Sequence, residues 1–476
     1  MKRIAIAGGG IAGLTAAYEL ELARKRGADI DWQLYEAGNR LGGIVETTHL
    51  QGFTLEGGPD AWVSEKPWAR ELAIELGLEA ELISSNDATR KTYILIDGQL
   101  QAMPDRMRMM VPQDLSTLEG SALFSDTARK AYASELERAQ ELRSEAPKQD
   151  ESVASFVRRH FGEEVLTKIG APLLSGVFGG DVETLSVRAV MPNFVALERE
   201  YGSLIAGLQA KVRSGSQPKP IFTTLRKGLG TLVDALVAQL PPERIHFNRP
   251  ALSLKRQGKR WLLRTSAFAT EGRTSKKHFH HVLLATPIDA TRALLEPLAP
   301  EAAALIPSDA SSAVLAALCW PAETASTFSI PQGFGFLVPQ TQATDEPQLL
   351  AATFVDQKFP DRAPAGARII RAFFGGTSAD ALVPQSDEAI AAEAFAQLTK
   401  VLGPLPAPDA SFTTVRRWPR SLPQYGVGHL ERMAELDQRV TSLGNLSLLG
   451  NGYRGVGLPD LIRDARAAAR NLIPNP

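Results

Sequence analysis

A short run of isoleucine and alanine, Ile4-Ala5-Ile6-Ala7, ends abruptly at three glycines, and Ile11, Leu14, Tyr18 and Leu22 then recur at helical spacing. Gly8-Gly9-Gly10-Ile11-Ala12-Gly13 therefore satisfies G-x-G-x-x-G between a strand and a helix. A second strand, Asp31 to Glu36, closes a βαβ unit and predicts a parallel sheet. Gly8 permits the tight turn, Gly10 lets backbone approach a pyrophosphate, and Gly13 allows close helix–sheet packing. The helix N-terminus offers unpaired N–H groups to phosphates, and Glu36 stands where a ribose would donate to it. The pattern points to a dinucleotide; the bland alternative is a glycine turn that only packs.

Composition narrows the partners. The 476 residues are 44% hydrophobic and 22% charged, enough to bury the cores of roughly two or three domains. Lys and Arg total 52 against 53 Asp and Glu, so no global field favours nucleic acid. One cysteine, Cys319, excludes an intramolecular disulfide, a cysteine-only iron–sulfur cluster and a Cys-x-x-Cys metal site. It also suits a reducing, cytoplasmic compartment. The longest apolar run, Ala310 to Trp320, is shorter than the roughly 18–20 residues of a spanning helix. The N-terminal apolar run stops too early for a signal peptide. A soluble protein is expected, with peripheral contact to the cytoplasmic membrane left open.

Further along, Ala88 to Met103 reads as a hairpin turning at Asp97-Gly98, and residues 112–215 as mostly helical, with an amphipathic stretch from Val153 to Ile169. Ser214 to Pro220 reads as a linker, Gly230 to Leu240 as a helix and Arg244 to Phe268 as a β-ribbon. Val282 to Ala285 is a buried strand stopped by Pro287. Residues 311–420 alternate apolar runs with Pro/Gly turns, which suggests an antiparallel sheet. Ser447 to Gly450 is a last strand, followed by a glycine loop and a helix from Leu458 to Leu472.

The segment Glu36-Ala37-Gly38-Asn39-Arg40-Leu41-Gly42-Gly43 resembles the nucleotide signature of amine-oxidase-like flavoproteins. Other phrases resemble the protoporphyrinogen/coproporphyrinogen oxidase family, in order along nearly the whole chain. They are Glu56-Gly57-Gly58-Pro59-Asp60, Gly176-Val177-Phe178-Gly179-Gly180-Asp181, Gly335-Phe336-Leu337, Phe359-Pro360-Asp361-Arg362, Trp418-Pro419 and Pro423-Gln424-Tyr425 with Gly428-His429. The resemblance implies an α/β (α+β overall) chain with a discontinuous Rossmann-like FAD-binding domain over 1–87, 221–290 and 430–476. An antiparallel-sheet substrate domain would take 88–111 with 291–429, and a helical insert 112–220.

It further implies non-covalent FAD, a porphyrinogen substrate and molecular oxygen as acceptor, with six electrons leaving in three rounds and hydrogen peroxide released. No catalytic side chain is expected, because the flavin carries the chemistry. Cofactor contacts are implied at Gly8, Gly9, Gly10, Ile11, Ala12, Gly13, Glu36, Ala37, Arg40, Gly42 and Gly43. They continue through Gly57, Gly58, Pro59, Asp60 and Trp418 to Gly450, Gly455, Val456, Gly457 and Leu458. Arg90 would pair with a substrate propionate, with Lys66 as a second partner and Lys91 as a competitor for the first. Gly179 and Gly180 would face the macrocycle, and Leu337 and Phe354 would sandwich it. Protoporphyrinogen IX is slightly favoured over coproporphyrinogen III. An amine oxidase or carotenoid desaturase is the more distant reading.

Three features have plainer alternatives. The cluster Met103, Met107, Met109, Met110 reads as packing rather than a ligand wall. Lys276 to His281 reads as a solvated strand edge rather than a metal site. Cys319 reads as a buried thiol. Monomer and homodimer are both compatible with the sequence.

Overall fold

A computed structural model describes residues 1–213, 220–266, 274–340, 346–408 and 412–473. Two sheets organise it. The first has five parallel strands in the order Ile245–His246, Ile30–Tyr35, Lys2–Ala7, His281–Leu284, Leu446–Leu448. Its central strands are apolar on both faces because both are covered. Ile4, Ile6 and Leu283 join the helices Ile11–Lys25 and Leu458–Arg470 in one core. Ala5, Ala7, Val282 and Leu284 face a second core with the helices Ile288–Leu295 and His429–Leu443. Residues 291–306, expected with the substrate domain, thus pack beside this sheet. The strand expected at Ser447 to Gly450 begins one residue earlier, and the C-terminal helix appears where the sequence suggests.

The second sheet has seven strands, in the order Thr413–Pro423, Ala310–Trp320, Arg368–Gly375, Ala351–Phe354, Gly335–Leu337, Thr92–Ile96, Gln99–Ala102. All neighbours are antiparallel except Gly335–Leu337 with Thr92–Ile96, so the expected antiparallel sheet contains one parallel pair. The stretch 311–420 also holds helices that the sequence reading passes over, the two longest described being Gly376–Leu382 and Asp387–Leu402. The longer one starts at Ser386, whose hydroxyl accepts from Ala389 N at 3.2 Å, and Asp387 and Glu388 complement its dipole. Its buried Ile390, Ala394 and Leu398 recur every four residues, a period masked by the surrounding alanines.

A helical body over 115–213 covers one end of this sheet. Its core takes Met110 fully, and Met103, Met107 and Met109 pack against it, so the methionine cluster is a packing wall. The helix expected to run unbroken from Val153 breaks at Gly162, which has φ +82°. Of the ribbon expected over Arg244 to Phe268, the strands Ala251–Gln257 and Arg260–Ser266 form, joined by a third, Thr274–Phe279, while Ile245–His246 joins the parallel sheet instead; Phe268 and residues 214–219 of the linker lie outside the described residues. No described helix is long and apolar enough to cross a membrane.

Candidate active site

The glycine fingerprint ends the central strand Lys2–Ala7. Gly8 has φ +104°, and a Cβ there would strike the Ala285 carbonyl. A Cβ on Gly13 would overlap the Gly8 carbonyl oxygen, whereas one on Gly10 would meet only Gly43 Cα at 3.8 Å. The three glycines thus serve the turn, the packing and an open approach. The first intrahelical bond runs from Leu14 N to Gly10 O at 2.9 Å, so the amides of Ile11, Ala12 and Gly13 precede the helix's own ladder. Glu36 closes the turn from the neighbouring strand: its carboxylate accepts from Gly9 N and Gly38 N, both at 2.7 Å. Ala37 lies beside it, exposed.

Gly42 N donates to Gly9 O at 2.9 Å, which lays the Gly42-Gly43 backbone along Gly9-Gly10. Arg40 folds over this strip, donating to the carbonyls of Gly43 and Val45 and pairing with Glu46 at 3.1 Å. Its guanidinium also lies 5.9 Å from the Trp418 ring centre. Trp418 Nε1 donates to the Gly57 carbonyl at 2.7 Å. The implied contacts Gly8 to Gly13, Glu36, Arg40, Gly42, Gly43, Gly57 and Trp418 therefore form one connected surface where the two sheets meet.

The loop from Gly450 to Gly457 is held from behind. Tyr425 donates its hydroxyl proton to Asn451 O at 2.5 Å and accepts from Gly455 N at 3.0 Å. His429 stacks on Tyr425 with ring centres 3.9 Å apart and bonds the Tyr453 carbonyl at 2.9 Å. Burial brings His429 down to about 4, so the ring is neutral. Asp460, in the first turn after Leu458, pairs with Lys66 at 2.5 Å. Lys66, expected in the substrate cavity, is thus bound to the start of the helix behind Val456 and Gly457.

The remaining substrate expectations are spread out. Arg90 is exposed where a short 3-10 turn enters the strand Thr92–Ile96; neither it nor Lys91 has a side-chain partner among the described residues. Gly179 ends the helix Ala171–Phe178 at φ +65°, with its carbonyl accepting from Ser311 Oγ at 2.5 Å. A Cβ on Gly180 would strike the Gln424 amide oxygen, so that flexible side chain would have to move to admit one. Leu337 points toward Gly176, and Phe354 is fully buried against Phe336. Since Phe336 pairs with Ala352 and Leu337 with Ala351, Leu337 and Phe354 lie on opposite sheet faces. They do not sandwich one ligand; Phe354 is core.

Beneath Gly57 to Asp60 lies a charge cluster the sequence reading did not assign. Glu56 accepts from Arg362 at 2.9 Å, and Asp60 from Lys358 at 3.0 Å and 3.2 Å. Arg371 lies 3.5 Å from Asp60 and donates to the Gly58 carbonyl. Burial raises the Asp60 carboxyl, but the Lys358 and Arg371 charges outweigh it and hold it at about 2. The visible signal is an arginine inside an apolar strand, Ile369-Ile370-Arg371-Ala372-Phe373.

The metal alternative finds no support. His278 bonds Gln257, His280 accepts from Arg3 N and His281 bonds Ser447, and no group of three candidate ligands occurs among the described residues. Cys319 is fully buried between Phe53, Leu55, Val355 and Ile369, its thiol pushed up to about 12 by burial.

The family described as flavin containing amine oxidoreductase matches residues 11–473. The chain belongs to this family. As a flavin amine oxidoreductase it is an FAD-dependent oxidoreductase, and its residues fit the cofactor: free helix amides for phosphates, an open Gly10–Gly43 cradle and a carboxylate at Glu36. It is 30% identical to coproporphyrinogen III oxidase of Bacillus subtilis, over 99% of this chain and 98% of that protein. It is 28% identical to protoporphyrinogen oxidase 1, chloroplastic, of Arabidopsis thaliana, over 98% and 86%. A crystal structure of a candidate protoporphyrinogen oxidase from Exiguobacterium sp. 255-15 has TM-score 0.83 at 30% identity, covering 99% of this chain and 98% of that one. Putrescine oxidase, at 16% identity and TM-score 0.68 over 99% and 98%, shares the fold.

Proposed function

We propose that this flavin amine oxidoreductase oxidises a porphyrinogen to the porphyrin in haem biosynthesis, with oxygen as acceptor and coproporphyrinogen III as preferred substrate. Six hydrogens and six electrons leave the macrocycle in three two-electron rounds, and three molecules of oxygen become three of hydrogen peroxide. The observation that carries the reading is the pair of exposed cations, Arg90 and Lys91, without side-chain partners among the described residues, beside the segment tied to Asp60 through Asn86 N donating to the Lys358 carbonyl at 3.0 Å. Two exposed cations suit a substrate that carries carboxylates. Full-length relatives of 30–32% identity carry the name coproporphyrinogen III oxidase, which supports coproporphyrinogen III over the protoporphyrinogen IX that the sequence favours. Protoporphyrinogen IX is the second reading, supported by the name of the Arabidopsis relative.

FAD, held non-covalently, supplies the two-electron acceptor. The chain's own part is placement: Arg90 and Lys91 orient the carboxylates, while Trp418 and the Gly450–Gly457 loop set the depth at which the macrocycle stops. Porphyrin fluorescence tests this directly, with both porphyrinogens offered to the FAD-loaded protein. Higher kcat/KM for coproporphyrinogen III is expected, and Arg90→Ala should lower it about tenfold, the worth of one charge-assisted pair, with FAD retained. Unchanged kinetics in that variant would remove Arg90 from the site. Oxidation of amines with both porphyrinogens untouched would replace the assignment.

A further inference from the structure

One cation beneath Gly57 to Asp60 lacks a counter-ion of its own. Five charged side chains meet there: Glu56 and Asp60, Lys358 and Arg362 from the turns after Ala351–Phe354, and Arg371 from the central strand Arg368–Gly375. Arg362 takes Glu56 and gives its other terminal nitrogen to Thr224 Oγ1 at 2.8 Å. Lys358 reaches both oxygens of Asp60. Arg371 is left with a share of Asp60 at 3.5 Å and the Gly58 carbonyl, and its Nε has no partner. Its side chain is 3% exposed. Two carboxylates thus face three cations, a surplus of one positive charge. Burial also pushes the Glu56 carboxyl up and the Arg371 guanidinium down, against the opposing charges around them. A buried cation that must share its counter-ion is under-compensated, and a negative charge formed nearby offsets that cost.

We propose that Arg371 is the counter-charge for the reduced flavin. The inference rests on the reading that Gly57 to Asp60 borders the isoalloxazine. Transfer of a hydride from a substrate carbon breaks one C–H bond, moves two electrons and one proton, and leaves one negative charge on the ring. A cation fixed in a dry site beside that charge stabilises it without reorganising. Arg371 touches the Gly58 backbone rather than the cofactor, so it is a positioning residue: it sets the potential and holds the Gly58 peptide in place. Lys358 and Arg362, each neutralised by its own carboxylate, do not share that role.

The experiment uses FAD-loaded protein and two readouts other than turnover: the two-electron potential, and titration with sulfite, which adds to the flavin N5 and leaves the same negative charge. Arg371→Met is expected to lower the potential by about 30 mV or more, equivalent to an about tenfold loss of sulfite affinity. Asp60→Asn removes a negative charge from the same cluster and should move both readouts the opposite way. Arg371→Lys should restore most of the wild-type value. If Arg371→Met does not fold, the Asp60→Asn and Arg371→Lys pair decides. Wild-type values in all variants that retain FAD would overturn the proposal and leave the flavin reading standing. Failure of the wild-type protein to hold FAD would instead overturn that reading.

Discussion

The two sheets meet at the proposed cofactor surface with different materials. The parallel sheet presents backbone: the Gly8 turn, the amides of Ile11 to Gly13 and the carbonyls that receive Arg40. The seven-stranded sheet and the segment laid across it contribute side chains: Trp418 against Gly57, and the charges of Asp60, Lys358 and Arg371 buried beneath Gly57 to Asp60. A backbone surface tolerates no added carbon where packing is close, yet it depends little on side-chain charge. The side-chain surface should behave the other way, sensitive to charge and more forgiving of volume.

The sharpest way to break this contrast is Gly13→Val. Its branched side chain would collide with the Gly8 carbonyl, and separation of the helix Ile11–Lys25 from the sheet should cost at least about 3 kcal/mol and abolish FAD retention. Absorbance of bound flavin after gel filtration reads this; a yellow, stable Gly13→Val protein would show that the close contact of Gly13 with the Gly8 carbonyl is not needed. On the other side, Glu56→Gln leaves Arg362 buried without a counter-charge, and urea denaturation should show a loss of about 3–5 kcal/mol. A loss below about 1 kcal/mol, the scale of an exposed pair, would mean that the cluster is solvated and its charges weakly felt.

A smaller effect separates the sheets by pH. Burial depresses His281, beside the parallel sheet, to about 3, and Asp60 is held at about 2. For His281 the unfolded chain takes up the proton first, so its contribution is complete above about pH 6.5 and declines toward pH 3, by about 2 kcal/mol at pH 5. For Asp60 the contribution is complete above about pH 4 and is lost as pH falls through about 2. His281→Gln should therefore flatten the stability profile between pH 6.5 and 5, as read by thermal melts. An unchanged slope would assign the acid sensitivity to another group.

What could be read from the sequence follows the same division. The fingerprint, Glu36 and the flanking strands are legible because all their constraints lie within about thirty residues and are written in glycine. Leu337 and Phe354 share an apolar sheet but not a face, and only strand register reveals that. Arg371 and Asp60 are far apart in sequence, so their meeting is invisible until the sheet is assembled. Lys66 and Arg90 are similar cations in sequence, yet one is paired with Asp460 and the other has no side-chain partner among the described residues. Long-range pairing decides which charge remains available to a ligand.

The parallel sheet has a further consequence for how the protein is made. Its nucleotide turn is synthesised early, but the strand His281–Leu284 beside it comes much later, and Leu446–Leu448 with the helix Leu458–Arg470 later still. Until those segments arrive, the helix Ile11–Lys25 has an uncovered apolar flank, and the loop that Tyr425 and His429 fasten does not exist. On the proposed cofactor surface, flavin capture becomes a late event in biogenesis, one that waits for distant segments to come together.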